Sequence, residues 1–198
     1  MTPIIPAMTN PPADFAANGL VFAGRLPLAW QELSVLPDDI ELRELDRANL
    51  AVLNTLFALD IHAGDHSDDL AAIANASELK RLDFKVSLLL ELVGQLFAHQ
   101  QNTPPEQLLI LTVDSLNWPV DVAPALNSLL RLELYCNLSY PRPLILPAQV
   151  AEIAPATQGW RIKARFHAPS PALQEALERY IFLQHRHAIA NQRRHASR

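Results

Sequence analysis

Histidines and carboxylates come close together in one short stretch of this sequence, where they could bind a metal ion. His62 and His66 are four residues apart, and Asp65, Asp68 and Asp69 lie nearby. Imidazole and carboxylate are ligands that divalent ions such as zinc accept. Only two imidazoles can face one ion here, and polar connecting loops commonly serve solubility. We therefore expect no metal site.

Basic side chains form the second group that could bind a ligand. Arg161, Lys163, Arg165 and His167 alternate along one predicted strand, so they share a face that could hold an anion or an acidic partner. A solvated outer face of a sheet has the same pattern, and both interpretations stay open. The chain carries a net charge of −5, and we expect it to bind no nucleic acid.

Nucleophilic side chains give little support for catalysis. Ser115 follows Asp114 but has no identifiable base, and Cys136 shares a face with leucines of the same predicted strand, as a buried core thiol would. No Gly-rich phosphate loop, GxSxG turn or HExxH motif occurs. The sequence therefore predicts neither an enzyme nor a bound cofactor.

Prolines divide the chain into the elements that would position these groups. The sequence has 16 prolines, yet none falls between Pro37 and Pro104. Because proline breaks interior helical turns, this window can hold long helices. Heptad spacing predicts helices over 38–60 and 67–101, joined as an antiparallel hairpin by a loop over 62–66, and Asp38 or Asp39 is the expected N-cap of the first helix. The seam positions are Leu42, Leu45, Asn49, Val52, Leu56 and Leu59 in the first helix and Leu79, Leu82, Val86, Leu89, Val93 and Leu96 in the second.

The second helix is too long for its own domain to cover. A helix over 67–101 would extend roughly 50 Å, and apolar residues such as Leu90, Leu92 and Phe97 spread beyond its seam. We expect the chain to self-associate through both seams, as a tetramer rather than the alternative dimer, because apolar flanking positions favour larger bundles. Asn49 either fixes the register of this seam or lies near solvent.

Alternating apolar residues predict strands on both sides of the helical window. One or two strands are expected over 19–33, and further strands over 108–113, 130–136, 143–153 and 160–167. Pro147 suggests that the strand over 143–153 lies at a sheet edge. A C-terminal helix should begin at Ser170, with Pro171 in its first turn, and end near Asn191.

These elements predict an α+β protein: a small antiparallel β-barrel with a C-terminal helix and a long inserted α-hairpin. The expected divisions are a flexible N-terminus over 1–18, a barrel domain over 19–36 and 104–194, a heptad hairpin over 37–103 and a tail over 195–198. No apolar segment is long enough to span a membrane, and the N-terminus lacks the basic residues of a signal peptide. We expect a cytoplasmic protein.

The barrel part resembles a PilZ domain, the small bacterial β-barrel known as a receptor for cyclic di-GMP. The resemblance rests on the strand segments Leu130–Val150 and Trp160–Phe166, and above all on the closing helix Leu173–Arg194. It covers roughly residues 20–36 and 106–194. The hairpin stands as an insertion, as in the atypical branch of that family.

PilZ receptors grip the nucleotide with an RxxxR segment just before the first strand and with a D/NxSxxG turn. This chain offers only Arg25 near the first strand, and the other RxxxR spacings, such as Arg161 with Arg165, fall on a helix, a strand and the tail. The segment TVDSLNW over 112–118 lies where the turn should fall and has no glycine, and Asn137 with Ser139 is followed by Arg142 where the glycine is needed. The resemblance implies a PilZ fold that has lost ordinary cyclic di-GMP binding.

The expected function is that of a non-catalytic signalling adaptor that self-assembles and contacts protein partners. The family suggests type IV pilus, motility or virulence regulation as its setting. The alternative is a cyclic di-GMP receptor that uses non-standard residues, with Arg25 or the pair Arg161 and Arg165 as candidates.

Overall fold

A computed structural model describes residues 20–64, 82, 85–86, 89, 103–138 and 140–196 of the chain. Leu82, Lys85, Val86 and Leu89 are helical. The elements with defined bounds are β1 (Phe22–Leu33), α1 (Asp39–Gly64), β2 (Glu106–Leu111), β3 (Ser115–Val120), β4 (Leu129–Leu134), β5 (Leu144–Pro155), β6 (Trp160–Phe166) and α2 (Pro171–Ala196).

The six strands close into an antiparallel barrel in the order β1-β2-β3-β6-β5-β4. Two strands are long enough to be shared: the first half of β1 pairs with β2 and its second half with β4, and β5 is divided in the same way between β4 and β6. Pro27 lies where β1 changes partner, and its carbonyl accepts a hydrogen bond from the Tyr135 N–H at 3.0 Å. The predicted small antiparallel barrel is confirmed.

Leucines from every second position of the strands fill the barrel. Leu109, Leu116, Leu130, Leu132 and Leu134 are all at most 1% exposed. Successive side chains of a strand point to opposite faces, so this alternation closes a continuous apolar interior. The periodicity seen in the sequence for β4 and β6 is therefore that of a barrel wall with one face buried.

Two features of the strands differ from the sequence prediction. β3 was not predicted, because it begins with Ser115 and contains Pro119, both of which weaken a strand pattern. The expectation that Pro147 marks an edge strand is wrong, since β5 pairs with β4 on one side and β6 on the other. Pro147 has no N–H to donate, but its carbonyl accepts from the His167 N–H at 2.8 Å.

The start of α1 is set by a capping box. Asp38 accepts hydrogen bonds from the N–H groups of Ile40 and Glu41 at 2.8 and 2.9 Å, and the Glu41 carboxylate accepts from the Asp38 N–H at 3.2 Å. These contacts satisfy N–H groups that have no partner inside a first helical turn. The predicted cap is confirmed. The helix continues to Gly64, past the expected end at residue 60.

The start of α2 also agrees with the sequence. Ser170 precedes Pro171, and its hydroxyl accepts from the Leu173 N–H at 3.2 Å. The Ser170 N–H donates to the Asp46 carboxylate of α1 at 2.9 Å, so the two helices are joined at this end. Because neither proline nor glycine follows Pro171, nothing ends the helix at residue 191, and it runs to Ala196.

α1 packs on its own barrel and on α2. Val52, Leu53, Leu56 and Phe57, named here the α1 stripe, are at most 8% exposed and belong to the same apolar cluster as the barrel leucines. Asn49 is only 2% exposed. Its amide donates to the Ile145 carbonyl at 2.9 Å and accepts from the Ile145 N–H at 2.8 Å, so it pairs with the backbone of β5.

This packing changes the interpretation of the first heptad seam. Asn49, Val52 and Leu56 were expected to face another chain, and the structure covers them with the chain's own elements. Asn49 neither sets a coiled-coil register nor lies near solvent. Leu42, Leu45 and Leu59 are half-buried.

The second seam is described only in part. Leu82, Val86 and Leu89, named here the exposed stripe, are 62%, 46% and 61% exposed. Leu79, Val93 and Leu96 lie outside the described residues, as do residues 1–18 and the carboxylates Asp65, Asp68 and Asp69 together with His66. The helical hairpin stays a prediction. None of the described helices is long and apolar enough to cross a membrane.

Candidate functional site

The three candidate ligand-binding arginines do not meet in the structure. Arg25 lies on the outer face of β1, where its guanidinium donates to the Glu106 carbonyl of β2 at 3.1 Å. Arg161 and Arg165 are exposed on β6. Going round the barrel, two strands separate β1 from β6 in either direction. Arg25 and the β6 pair therefore occupy opposite sides of the molecule and cannot form one site within a single chain.

The basic face of β6 has acidic neighbours in its own sheet. Lys163 lies opposite Glu152 of β5, so opposite charges face each other across the two strands. Arg165 pairs with Ser115 of β3 and adds a small electrostatic contribution that lowers the pKa of the neighbouring Asp114. Part of the positive charge that the sequence suggested for anion binding is thus balanced locally.

The turn between β2 and β3 is the first of the two segments compared above with the D/NxSxxG motif. The Thr112 hydroxyl donates to the Asp114 carboxylate at 2.7 Å, and the Ser115 hydroxyl donates to the same oxygen at 3.1 Å. The Ser115 N–H also donates to the Thr112 hydroxyl oxygen at 3.0 Å. The hydrogen bond from the Thr112 hydroxyl above all, and that from the Ser115 hydroxyl, hold the pKa of Asp114 below its ordinary value despite partial desolvation.

This turn has no need of the missing glycine. Positive φ angles occur among the described residues at Asn127, Gly159 and Ala168, none of which belongs to the turn. The strain expected from the lack of glycine is therefore absent, because the backbone follows a path open to any residue. The Asp114 carboxylate is already engaged by the turn's own hydroxyls. In the second segment proposed for this motif, Ser139 lies outside the described residues.

Neither nucleophile noted in the sequence is activated. Ser115 is 4% exposed, and its hydroxyl is engaged with Asp114. Burial raises the pKa of the Cys136 thiol to about 12, so the sulfur is protonated at neutral pH. Cys136 is half-buried and packs against the core beside Tyr180, whose pKa is also raised by burial.

Two concave regions were not found by sequence reasoning. The larger, named here the mouth cleft, has a volume of about 730 Å³ and is lined by β1, the start of β2, the end of β3 and the loop after it. Trp30, Glu32, Gln107 and Asp121 are among its lining residues. The sequence signal that could have indicated the mouth cleft is the alternation within β1. It places Leu26, Leu28, Trp30 and Glu32 on one face of the strand.

The smaller region is a cleft of about 220 Å³ between α1, α2 and the segment after β4. His187 of α2 and Asp60 of α1 line it, with the imidazole Nε2 3.0 Å from the carboxylate. Leu56, Phe57 and Tyr180 form its apolar part.

A closed six-stranded antiparallel barrel followed by a helix, with another helix between its first two strands, has the architecture of a PilZ domain. The family model for the atypical PilZ domain, described as a cyclic di-GMP receptor, matches residues 49–194. This chain belongs to the atypical PilZ family. No curated protein matches it.

One solved structure agrees with this chain in fold. A crystal structure of a pathogenic protein from Xanthomonas campestris superposes with a TM-score of 0.67 at 23% identity, covering 88% of this chain and 92% of that one. It is described as a new tetrameric PilZ domain self-assembled through an unusual helical bundle. The Bacillus subtilis inhibitor of motility matches with a TM-score of 0.34 at 15% identity over 40% of this chain and 41% of its own. That second match is too remote to support an argument.

Proposed function

We propose that this chain is a non-catalytic PilZ-type signalling adaptor that self-assembles through its heptad helices, as a tetramer with a dimer as the alternative. The observation that carries this proposal is the exposed stripe. Leu82, Val86 and Leu89 are spaced four and three residues apart on helical backbone, and all three are at least 46% exposed in the single chain. Heptad spacing of this kind is the pattern of helices that pack on other helices.

The energetics favour covering this stripe. Each Leu or Val side chain moved from water into a packed interface contributes about 1.5–3 kcal/mol. In sequence, Leu79, Val93 and Leu96 continue the same heptad pattern on both sides. The helical bundle named for the Xanthomonas campestris protein is support of the same kind. Since Asn49, Val52 and Leu56 pack inside the chain, we assign the leading role in assembly to the second seam, with Leu42, Leu45 and Leu59 at its margin.

Light scattering after size exclusion tests the assembly. The unmodified chain should have the mass of four chains, and the double variant L82E/L89E that of one, because a charge without a partner is costly in a packed seam. Leu108→Glu is the matched control, since Leu108 is 57% exposed on β2, outside the helices. A monomeric unmodified chain, or an oligomer that survives L82E/L89E, would overturn the proposal.

The same proposal holds that ordinary cyclic di-GMP binding is lost. The turn at residues 112–115 satisfies its own carboxylate, and Arg25 is remote from Arg161 and Arg165. Titration calorimetry with cyclic di-GMP should therefore give no saturable heat. The alternative is a receptor that uses non-standard residues, for which saturable binding lost in Arg25→Ala or in Arg161→Ala would be the evidence.

The remaining expectations belong to this proposal. We propose a barrel domain over 19–36 and 104–194 and a hairpin over 37–103, protein partners in pilus, motility or virulence regulation, and a cytoplasmic location. Neither a metal nor a cofactor is part of the proposal. Copurification of the chain from its host at native expression, followed by fractionation, would test partner and location together.

A further inference from the structure

The mouth cleft has the form of a binding site at the open end of the barrel. Its volume of about 730 Å³ lies within the range of about 300–1,000 Å³ typical of ligand clefts, and barrel mouths are common places for them. None of Arg25, Arg161 and Arg165 lines it, but Arg161 pairs across the sheet with Pro119, which does. The proposal made here for the cleft uses none of these three arginines.

Two of its lining residues occupy interior positions of β1. Trp30 pairs across the sheet with Leu132 and Glu32 with Leu130, and both leucines are fully buried in the barrel. Directly paired residues point to the same face, so Trp30 and Glu32 continue the row of core side chains. A carboxylate at the end of such a row contributes nothing to an apolar core, but it is well placed to face a ligand.

Trp30 forms a supported aromatic surface. Its ring lies 6.4 Å from the ring of Trp118 at an angle of 55°, a tilted packing that favours both rings. Trp118 is 1% exposed, whereas Trp30 is half-buried and lines the cleft. The buried ring holds the partly exposed one in place, as a stacking platform requires.

The charged side chains that line the cleft are both acidic. Glu32 and Asp121 are exposed carboxylates, and none of the described residues that line it is Lys, Arg or His. A guanidinium group fits this combination, because it stacks on indole and pairs with carboxylates through its planar fork. Lysine fits less well, since its ammonium is a compact, strongly hydrated point charge.

The rim of the cleft indicates a peptide rather than a small cation. Val122, which lines the cleft, is 78% exposed, and Trp160, which pairs with Val120 of the lining, is 43% exposed. Apolar side chains grouped around a polar centre are typical of protein interaction sites. A free cation would leave these side chains uncovered.

We propose that the mouth cleft binds an arginine-containing segment of a protein partner, with the guanidinium between Trp30 and the carboxylates of Glu32 and Asp121 and apolar neighbours of that arginine on Val122 and Trp160. This proposal deepens the adaptor function. It rests on that function only because an adaptor is expected to have a protein partner. It requires neither self-assembly nor loss of cyclic di-GMP binding.

Fluorescence anisotropy of a labelled peptide tests this site on the full chain. The probe is a capped peptide of alternating leucine and arginine, and the comparison peptide has citrulline, the neutral isostere, in place of arginine. We expect saturable binding that is at least about tenfold weaker with citrulline, the loss that corresponds to one good charged contact of about 1.4 kcal/mol. Equal binding of the two peptides would overturn the proposal.

Variants localise the binding. Glu32→Gln and Asp121→Asn change exposed side chains and should each weaken binding several-fold, as should Trp30→Leu if it folds. Glu178→Gln, an exposed carboxylate on α2, is the control for general attraction to a chain of net charge −5. If Glu178→Gln weakens peptide binding as much as the cleft variants do, the proposal is overturned. It is also overturned if arginine amide displaces the labelled peptide as effectively as the unlabelled peptide does. The mass measured by light scattering on the same samples reports self-assembly separately.

Discussion

The α1 stripe and the exposed stripe are both apolar faces of helices, but their surroundings in the structure are opposite. Val52, Leu53, Leu56 and Phe57 are at most 8% exposed, because they face the barrel and α2. Leu82, Val86 and Leu89 are between 46% and 62% exposed. Heptad spacing indicates that a helix has an apolar face, but it carries no information about which surface covers that face.

The α1 stripe also has a polar residue of the same predicted seam beside it, whereas the exposed stripe contains apolar residues alone. Asn49 lies within one turn of Val52 and makes two hydrogen bonds to the Ile145 backbone. The Asn49 amide can pair with both the N–H and the carbonyl of Ile145 only when α1 lies in this position on β5. These two hydrogen bonds therefore fix α1 on β5. The polar residue that sequence reasoning assigned to a coiled coil therefore attaches the helix to its own barrel.

Among the substitutions that test this comparison, replacing a core residue of the α1 stripe should change the free energy of unfolding most. Leu53 is fully buried, so Leu53→Ala should lower the free energy of unfolding by about 2–5 kcal/mol through lost contacts and a residual cavity. Urea denaturation at several protein concentrations is the measurement. The loss should be independent of concentration, and a loss that vanishes on dilution would place Leu53 between chains instead.

Removing the Asn49 amide should have the next largest effect. Asn49→Ala leaves the Ile145 N–H and carbonyl without their side-chain partner in a part-buried place, at a cost of about 1–3 kcal/mol. Asn54→Ala, at an exposed position of α1, is the matched control and should change stability by less than about 0.5 kcal/mol. Equal effects of the two variants would remove Asn49 as the attachment of α1 to the barrel.

The contact between Arg179 of α2 and Phe57 should contribute less. The guanidinium carbon lies 4.4 Å from the centre of the Phe57 ring, an arrangement worth about 0.5–1 kcal/mol at an exposed site. Arg179→Met keeps most of the apolar stem and removes the charge, and thermal unfolding measures the difference. A change as large as that of Leu53→Ala would mean that Arg179 has a structural role beyond this contact.

The exposed stripe should have the smallest effect on the stability of a dissociated chain. In a chain already made monomeric by Leu82→Glu, Leu89→Ala should alter the free energy of unfolding by less than about 0.5 kcal/mol, as expected of an exposed side chain. Urea denaturation of the single and double variants is the measurement. A loss of several kcal/mol would show that Leu89 packs within its own chain.

The fold was largely predictable from local patterns, and the site was not. The alternation of leucines in β4 and of apolar residues in β6, the cap at Asp38 and the start of α2 at Ser170 depend on neighbours in sequence, and all agree with the structure. β3 was missed because Pro119 conceals its pattern. The separation of Arg25 from Arg161 depends on strand order around the barrel, which spacing along the chain does not contain.

By itself, the sequence determined the apolar faces, the caps, the family resemblance and the lack of a glycine in the turn over 112–115. These follow from residue types and short spacings, because backbone geometry repeats locally. Only the tertiary structure decided which apolar face is covered by the chain itself, and that Asn49 binds the backbone of β5. It also brought Trp30, Glu32 and Asp121 to one cleft, since closure of the barrel joins positions about ninety residues apart.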